Sequence, residues 1–164
     1  MASRIPHSTL HGGCFCKRVR YSIDVDIPPL LNAYCHCTRC QKLFGAPFIH
    51  TIHLRPEAFK WTTAPIPLSN VTDEYVVINV KHRFRCKTCG SHIASWNEAK
   101  QKWSVWGATL DRDVNGRIID WSFVKPTDHM FYGTRMLDIP DNLGKWEGYP
   151  NQSEPVHAPL TEDA

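Results

Sequence analysis

The chain has 164 residues, a length typical of one domain that can bury a hydrophobic core. Its formal net charge of +3 is small and its basic residues are scattered, which argues against a nucleic-acid-binding protein, since such proteins concentrate basic residues on one face. The first residues lack the apolar stretch of a signal peptide, and no apolar run approaches the length of a membrane span. We therefore expect a protein of a reducing compartment, the cytoplasm, that binds neither nucleic acid nor a membrane.

The hydrophobic pattern of the first half predicts short strands separated by turns. Apolar side chains alternate from Val19 to Val25, which is typical of a strand with one buried face. A second strand is expected from Leu30 into a group of three cysteines, followed by a single helical turn over 41–44. A strand over 48–54 and a short edge segment over 56–61 come next. Residues 62–72 are rich in Thr, Pro, Ser and Asn and predict a loop.

The second half continues the pattern of strands and turns. Strands are predicted over 75–80, 83–86, 92–96 and 103–110, with turns near 97–101 and 111–116. Residues 118–124 are apolar but ambiguous, and 129–132 predict a last short strand. The proline-rich, acidic residues 149–164 are expected to form a disordered tail. With 1–9 as an N-terminal extension, the sequence predicts one mainly β domain over 10–148, with no internal repeat.

Three of the seven cysteines, Cys35, Cys37 and Cys40, lie within six consecutive residues. In an extended segment Cys35 and Cys37 point the same way, and a turn over 38–39 can bring Cys40 to the same centre. Three convergent sulfurs suit a soft metal ion, above all zinc. Because three ligands are one short of a tetrahedron, the sequence predicts a metal site with an open position.

The other four cysteines form a second Cys-x-Cys pair, Cys14 and Cys16, and a Cys-x-x-Cys-Gly motif with Cys86 and Cys89. In a reducing compartment such groups bind metals more often than they form disulfides, and the odd number of cysteines excludes complete pairing. Because the group of three is local, we expect the remaining four to form a closed tetrahedral site that stabilises the fold. Spacing alone leaves open a division that mixes the two Cys-x-Cys pairs.

The order of these motifs resembles a known family. The pattern Gly-x-Cys-x-Cys near the start, then CHCTRC followed by GAPF, then CKTCGSH, is similar to the glutathione-dependent formaldehyde-activating enzyme family, also called the CENP-V/GFA domain. Weaker similarities, GATLD over 107–111 and HMFY over 129–132, extend the resemblance across residues 10–143. The resemblance implies a β-rich, Mss4-like fold stapled by two zinc ions. It assigns one zinc to a structural site of Cys14, Cys16, Cys86 and Cys89, and the other to Cys35, Cys37 and Cys40.

The resemblance further implies a zinc-dependent carbon–sulfur lyase that acts on an adduct of glutathione or a related thiol. The open position suits a fourth sulfur, because coordination to zinc lowers the pKa of a thiol. Cys35, Cys37 and Cys40 would then be catalytic, with His92 as the proton shuttle and His36 and His53 as further candidates.

The candidates for substrate binding are two arginines, which could pair with carboxylates, and two residues around the turn that follows the cysteines. Phe44 stands where members of the family commonly have serine. These candidates are Arg39, Phe44, Gly45 and Arg135. The alternative function is a non-catalytic Mss4-like zinc-binding interaction module, and the sequence leaves the oligomeric state open.

Overall fold

The computed structural model of the protein describes residues 9–78 and 80–157. Its strands are β1 (Thr9–Gly13), β2 (Arg20–Asp24), β3 (Leu31–Cys35), β4 (Ile49–Leu54), β5 (Phe59–Trp61), β6 (Thr72–Val77), β7 (Lys81–Cys86), β8 (His92–Asn97), β9 (Lys102–Trp106), β10 (Asp128–Met130) and β11 (Gly144–Trp146). Its helices are α1 (Thr38–Phe44), α2 (Leu68–Val71) and α3 (Trp121–Val124), with 3₁₀ turns at Pro56–Ala58, Gly107–Thr109 and Tyr132–Thr134. The predicted mainly β class is confirmed. No helix within the described ranges is long and apolar enough to cross a membrane.

The described chain separates into two compact units, each assembled from two separate stretches of sequence. Unit 1 consists of the described residues up to 31 and from 52 to 124, and unit 2 of residues 32–51 and 125–157. Strand β4 begins in unit 2 and ends in unit 1. No stretch of linker-like composition marks this division, which is why the sequence suggests no boundary. The domain bounds of 10–148 stay a prediction.

Unit 1 contains two sets of antiparallel strands, in the orders β1-β2-β5 and β9-β8-β7-β6. The alternation predicted from Val19 is confirmed, since Val19, Tyr21 and Ile23 are completely buried. Burial of each such side chain contributes about 1.5–3 kcal/mol. Trp103 on β9 stacks on Phe59 of β5 with ring centroids 4.3 Å apart, so the aromatic side chains extend this core.

Unit 2 is organised around β10, which pairs in parallel with β3 on one side and with β11 on the other. In this register His129 lies opposite Tyr34, and Met130 lies opposite Cys35. The late segment of the chain is thereby fixed beside the start of the group of three cysteines. Parallel strands need long connections, so the sequence carries no hairpin signal for this pairing.

Several predicted boundaries need correction. The strand predicted over 75–80 is Thr72–Val77, and the strand predicted over 103–110 ends at Trp106, where a 3₁₀ turn begins. The strand predicted over 129–132 ends at Met130, because Phe131 adopts a left-handed conformation with φ of 56° and starts the 3₁₀ turn. The loop predicted over 62–72 contains the short helix α2, which Pro67 precedes with the fixed φ that suits a helix start. The ambiguous residues 118–124 end in the single helical turn of α3.

The segment after β11 is ordered by backbone hydrogen bonds. Glu147 N–H donates to the Glu154 carbonyl, and Val156 N–H donates to the Lys145 carbonyl. Pro155 forms an isolated antiparallel bridge with Trp146, an edge position that tolerates a missing N–H. The expected disorder is therefore wrong for residues 149–157, because their polar backbone groups find partners along β11. Residues 158–164 of the expected tail lie outside the described residues.

Truncation after Tyr149 should destabilise unit 2. The deletion removes the bonds from Glu147 and Val156 and the bond from Gly148 N–H to Ser153 Oγ, so we expect the free energy of unfolding to fall by roughly 2–3 kcal/mol. Thermal unfolding followed by circular dichroism measures the effect, with a protein that ends at His157 as the comparison. Equal melting temperatures for the two proteins would contradict the structural role of this segment.

Two candidate metal centres and a buried histidine pair

Four cysteine sulfurs converge in unit 1. The Sγ atoms of Cys14, Cys16, Cys86 and Cys89 all lie within 4.8 Å of one another. The Cys14 and Cys16 sulfurs are 3.5 Å apart, and those of Cys16 and Cys86 are 3.7 Å apart. Tetrahedral zinc with bonds of ~2.3 Å places its sulfurs ~3.8 Å apart, so the spacing fits a closed zinc site. This grouping matches the predicted division of the cysteines into four and three.

Local backbone geometry positions the second half of this cluster. Cys86 ends β7, and Gly90 N–H donates to the Cys86 carbonyl in a tight turn that carries Cys89. Gly90 has a φ of 74°, a conformation that glycine adopts without steric cost. The Ser91 hydroxyl lies 3.2 Å from Cys89 Sγ and accepts a hydrogen bond from Phe15 N–H, which joins the two cysteine loops. Burial opposes ionisation, but hydrogen bonds from Ser91 lower the pKa of Cys89 to about 6 and favour the thiolate.

The second cluster lies in unit 2, where the Sγ atoms of Cys35, Cys37 and Cys40 are within 4.8 Å of one another. Cys35 ends β3, and Cys37 is the N-cap of α1, where its sulfur accepts a hydrogen bond from Cys40 N–H at 3.4 Å. The helix therefore begins at Thr38 rather than at residue 41, because the cap holds its first turn. It ends at Phe44, and its C-cap Gly45 has the left-handed φ of 60° that favours glycine.

The three thiols of this cluster share protons unequally. Hydrogen bonds from Cys35 and Cys40 lower the pKa of Cys37 to about 2. The pKa of Cys35 is raised because its thiol hydrogen-bonds with its two neighbours and because it is buried. Such a set of sulfurs fits a soft cation that replaces the shared protons. Within the described residues, this group has three ligand atoms and no fourth.

A buried pair of histidines lies beside β3 in the same unit. His36 and His129 are both completely buried, with His36 Nε2 2.8 Å from His129 Nδ1. His129 Nε2 is in turn 2.9 Å from Asp141 Oδ2. Burial would raise the pKa of Asp141, but hydrogen bonds from His129 and Lys145 outweigh burial and lower this pKa to about 2.

These contacts limit where the histidine protons can be. The Asp141 carboxylate accepts the Nε2–H of His129, and when both rings are neutral His129 Nδ1 accepts the Nε2–H of His36. Burial is the largest cause that lowers the pKa of His36 to about 4, so this ring is neutral at pH 7. With both rings neutral, His36 Nδ1 carries a lone pair, and this buried atom has no hydrogen-bond partner within the described residues.

Arg135 contacts the histidine pair indirectly, through the ring of Tyr132. Its guanidinium carbon lies 4.4 Å from the centre of the Tyr132 ring, which contacts His36 edge-on with centroids 4.9 Å apart. Arg135 Nε is 2.5 Å from Asp138 Oδ1, and Nη1 donates to the Tyr132 carbonyl. Only 8% of Arg135 is exposed, which is typical of a structural role. Its pairing with a substrate carboxylate stays a prediction.

The remaining candidates divide between the two units. Arg39 and Gly45 are exposed and Phe44 is half-buried, all on or next to α1 in unit 2. His92 belongs to unit 1, where its Nδ1 lies 3.2 Å from the Tyr75 hydroxyl. His53, also in unit 1, is buried with its Nδ1 2.8 Å from Lys102 Nζ. The structure thus brings Arg39, Phe44, Gly45 and Arg135 into the same unit as the three cysteines.

Sequence reasoning missed Tyr149 and Asp141. Burial, followed by the negative charges of the three cysteines in unit 2, raises the pKa of Tyr149, so its hydroxyl lies within electrostatic range of that cluster. The aromatic side chain of Tyr149 indicated that its segment packs against the rest of the unit. The proline-rich, acidic composition of the segment obscured this indication. Asp141 carried no local signal, because its partner His129 is defined only by the β3–β10 pairing.

A small β-rich fold with one Cys₄ and one Cys₃ cluster defines a class of proteins equipped to bind zinc. Within that class, the family model described as glutathione-dependent formaldehyde-activating enzyme matches residues 9–134. The chain belongs to this family, and the resemblance inferred from the motifs is confirmed. No curated protein matches the chain. A crystal structure of a Rhodobacter sphaeroides protein is 18% identical, with a TM-score of 0.48, and the match covers 66% of this chain and 96% of that chain.

Proposed function

We propose that the protein is a zinc-dependent carbon–sulfur lyase that forms or cleaves an adduct of glutathione or a related thiol. The observation that carries this proposal is the Cys₃ cluster, which has no fourth ligand atom within the described residues. The family supports a glutathione-related activity, and the lyase reaction is our inference from the donor set. The thiolate-rich environment suits the reducing conditions of the cytoplasm.

Cys35, Cys37 and Cys40 would hold the reactive zinc ion, and the Cys₄ cluster would hold a structural one. When bound, the first ion supplies a position that favours a thiolate over a thiol. The half-buried Tyr149 keeps its proton because its pKa is raised, so its hydroxyl can donate a hydrogen bond to a ligand at this cluster.

Cleavage of an S-hydroxymethyl adduct moves one proton and two electron pairs. The hydroxyl O–H bond breaks and its electrons form the carbonyl bond, while the carbon–sulfur pair leaves with the sulfur as a thiolate. The hydroxyl group therefore needs a general base that accepts its proton. His92 stays a prediction for this role. His36 is a second candidate, because its Nδ1 is buried and unpartnered within the described residues and its Nε2 contacts the His129–Asp141 pair.

The proposed function is tested by measuring the zinc coordination and the lyase activity of the same protein preparation. With both clusters filled, the average number of sulfur ligands per zinc should rise from about 3.5 to about 4 when glutathione is added. X-ray absorption spectroscopy measures this number, and the release of formaldehyde from S-hydroxymethylglutathione measures the reaction. An unchanged zinc shell together with no release of formaldehyde would favour the non-catalytic module instead.

Asp141→Asn should slow the reaction without loss of zinc. The side chain is one-third exposed, so the protein should still fold. Its Oδ1 atom would keep accepting from Lys145, which turns the new amide N–H₂ towards His129 and reverses both histidine protons. His36 Nδ1 would then be a donor, and we expect kcat to fall roughly tenfold to a hundredfold.

The control for this variant is Glu154→Gln, which changes an exposed carboxylate of the same unit. Nitrogen-15 NMR distinguishes a bare from a protonated ring nitrogen, so it reports the tautomer of His36 independently of the activity. A reversed tautomer with unchanged kcat would exclude the histidine pair from the mechanism.

A further inference from the structure

Unit 1 contains a buried arginine, two of whose guanidinium nitrogens have no hydrogen-bond partner within the described residues. Arg83 lies in the middle of β7 with 7% of its surface exposed. Its Nε and Nη1 atoms are buried and have no hydrogen-bond partner within residues 9–78 and 80–157. A buried charge without partners is strongly unfavourable, and folded proteins satisfy nearly all such groups. The guanidinium group is therefore arranged for a partner outside the described chain.

The surroundings of Arg83 are aromatic and polar. Its guanidinium carbon lies over the buried Trp106 ring, 5.2 Å from the ring centre, at a distance typical of a cation–π contact. On the neighbouring strands, Tyr75 lies opposite Arg83 on one side and Ser95 on the other. His92 is close enough that the Arg83 charge, after the larger effect of burial, helps to lower its pKa. The group therefore contains hydrogen-bond donors and a cation.

The nearest carboxylates on the adjacent strand have other partners. Asp73 pairs with Arg85 at 3.0 Å, and Glu74 contacts His82 at 2.6 Å. Glu74 lies opposite Phe84 in the β6–β7 register, so strand alternation turns it to the face away from Arg83. Neither acid of β6 is thus a hydrogen-bond partner of Arg83 Nε or Nη1.

The geometry points to a binding site for a small carboxylate anion, anchored by Arg83 on the ring of Trp106. The Nε–H and Nη1–H groups have no partner within the described residues, and a flat carboxylate pairs with two such N–H groups of a guanidinium at once. One negative charge neutralises the buried charge of Arg83, whereas a phosphate dianion would leave one uncompensated negative charge away from water. This site contains none of the three cysteines of unit 2, and it does not depend on the proposed lyase reaction.

The test uses sodium succinate as the probe and sodium chloride at equal ionic strength as the reference. In the wild-type protein, succinate should shift the Nε–H resonance of Arg83 in a saturable manner in proton–nitrogen NMR spectra. Arg83→Met keeps a long apolar side chain over Trp106 and should weaken succinate binding at least about tenfold in calorimetry. The matched control, Arg85→Met, changes an exposed arginine of the same strand and should keep the wild-type affinity.

The wild-type titration does not depend on whether any variant folds. No response of the Arg83 resonance to succinate would overturn the proposal, as would equal affinities in wild type and Arg83→Met. A response to phosphate but not to succinate would show that the carboxylate class is wrong. In succinate-free buffer, Arg83→Met should melt no lower than the wild type, because it removes a buried charge without partners. A lower melting temperature would show that the fold itself compensates the charge, against our inference.

Discussion

Cys86→Ser should remove the metal from the Cys₄ cluster and unfold unit 1. The sulfur of Cys86 is buried, with 1% of the residue exposed, and it is one of four that converge from segments far apart in sequence. Binding of zinc to a structural site contributes on the order of 10 kcal/mol, which is comparable with the whole stability of a typical domain. The free energy lost with one thiolate ligand should therefore exceed the free energy of unfolding of unit 1.

The measurement combines zinc content with thermal unfolding of the purified protein. Thr88→Ala is the matched control, since Thr88 is exposed in the same turn between Cys86 and Cys89. The control should keep two zinc ions per chain and the wild-type melting temperature. A Cys86→Ser protein with full zinc content and unchanged stability would disprove a structural role for this cluster.

Cys37→Ser should affect only the Cys₃ cluster. Unit 1 should stay folded, and the thiol chemistry should be lost. Serine is a good helix N-cap, so α1 should keep its start at Thr38 when the sulfur is replaced. The Cys₃ cluster loses the sulfur with the most depressed pKa, and zinc content should fall from about two ions per chain to about one. We expect no detectable binding of glutathione and no release of formaldehyde from its adduct.

Lys42→Ala is the control for this variant, because Lys42 is exposed on the same helix. It should keep both zinc ions and the wild-type rate. Retention of glutathione binding by Cys37→Ser would remove the Cys₃ cluster from the proposed reaction. A comparable loss in Lys42→Ala would point to the helix surface instead of the metal site.

The sequence by itself determined the features that depend on short spacing. The alternation from Val19 to Val25 defined a strand with one buried face, because side chains of a strand point to opposite faces in turn. The cysteine motifs predicted two groups of sulfurs, and the structure shows both groups. Gly90, which ends the Cys-x-x-Cys-Gly motif, has a φ of 74° that glycine adopts without steric cost.

The start of α1 shows where local pattern fell short. Propensity suggested a turn from residue 41, but the helix begins at Thr38 because the Cys37 sulfur accepts the N–H of Cys40. Cysteine is not among the preferred N-cap residues, so the metal-ligand motif concealed a helix cap. The same residue thus has a local role in the helix and a role in the cluster.

Only the tertiary structure decided the features that join distant segments. The chain from Asp141 through His129 to His36 exists because β10 pairs in parallel with β3, and such a pairing has no signature in neighbouring residues. The Nε and Nη1 atoms of Arg83, which lack partners within the described residues, were equally hidden, since the strand sequence does not distinguish the buried Arg83 from the exposed Arg85. Burial and the absence of a partner are properties of packing, and packing is determined by contacts between residues that the sequence places far apart.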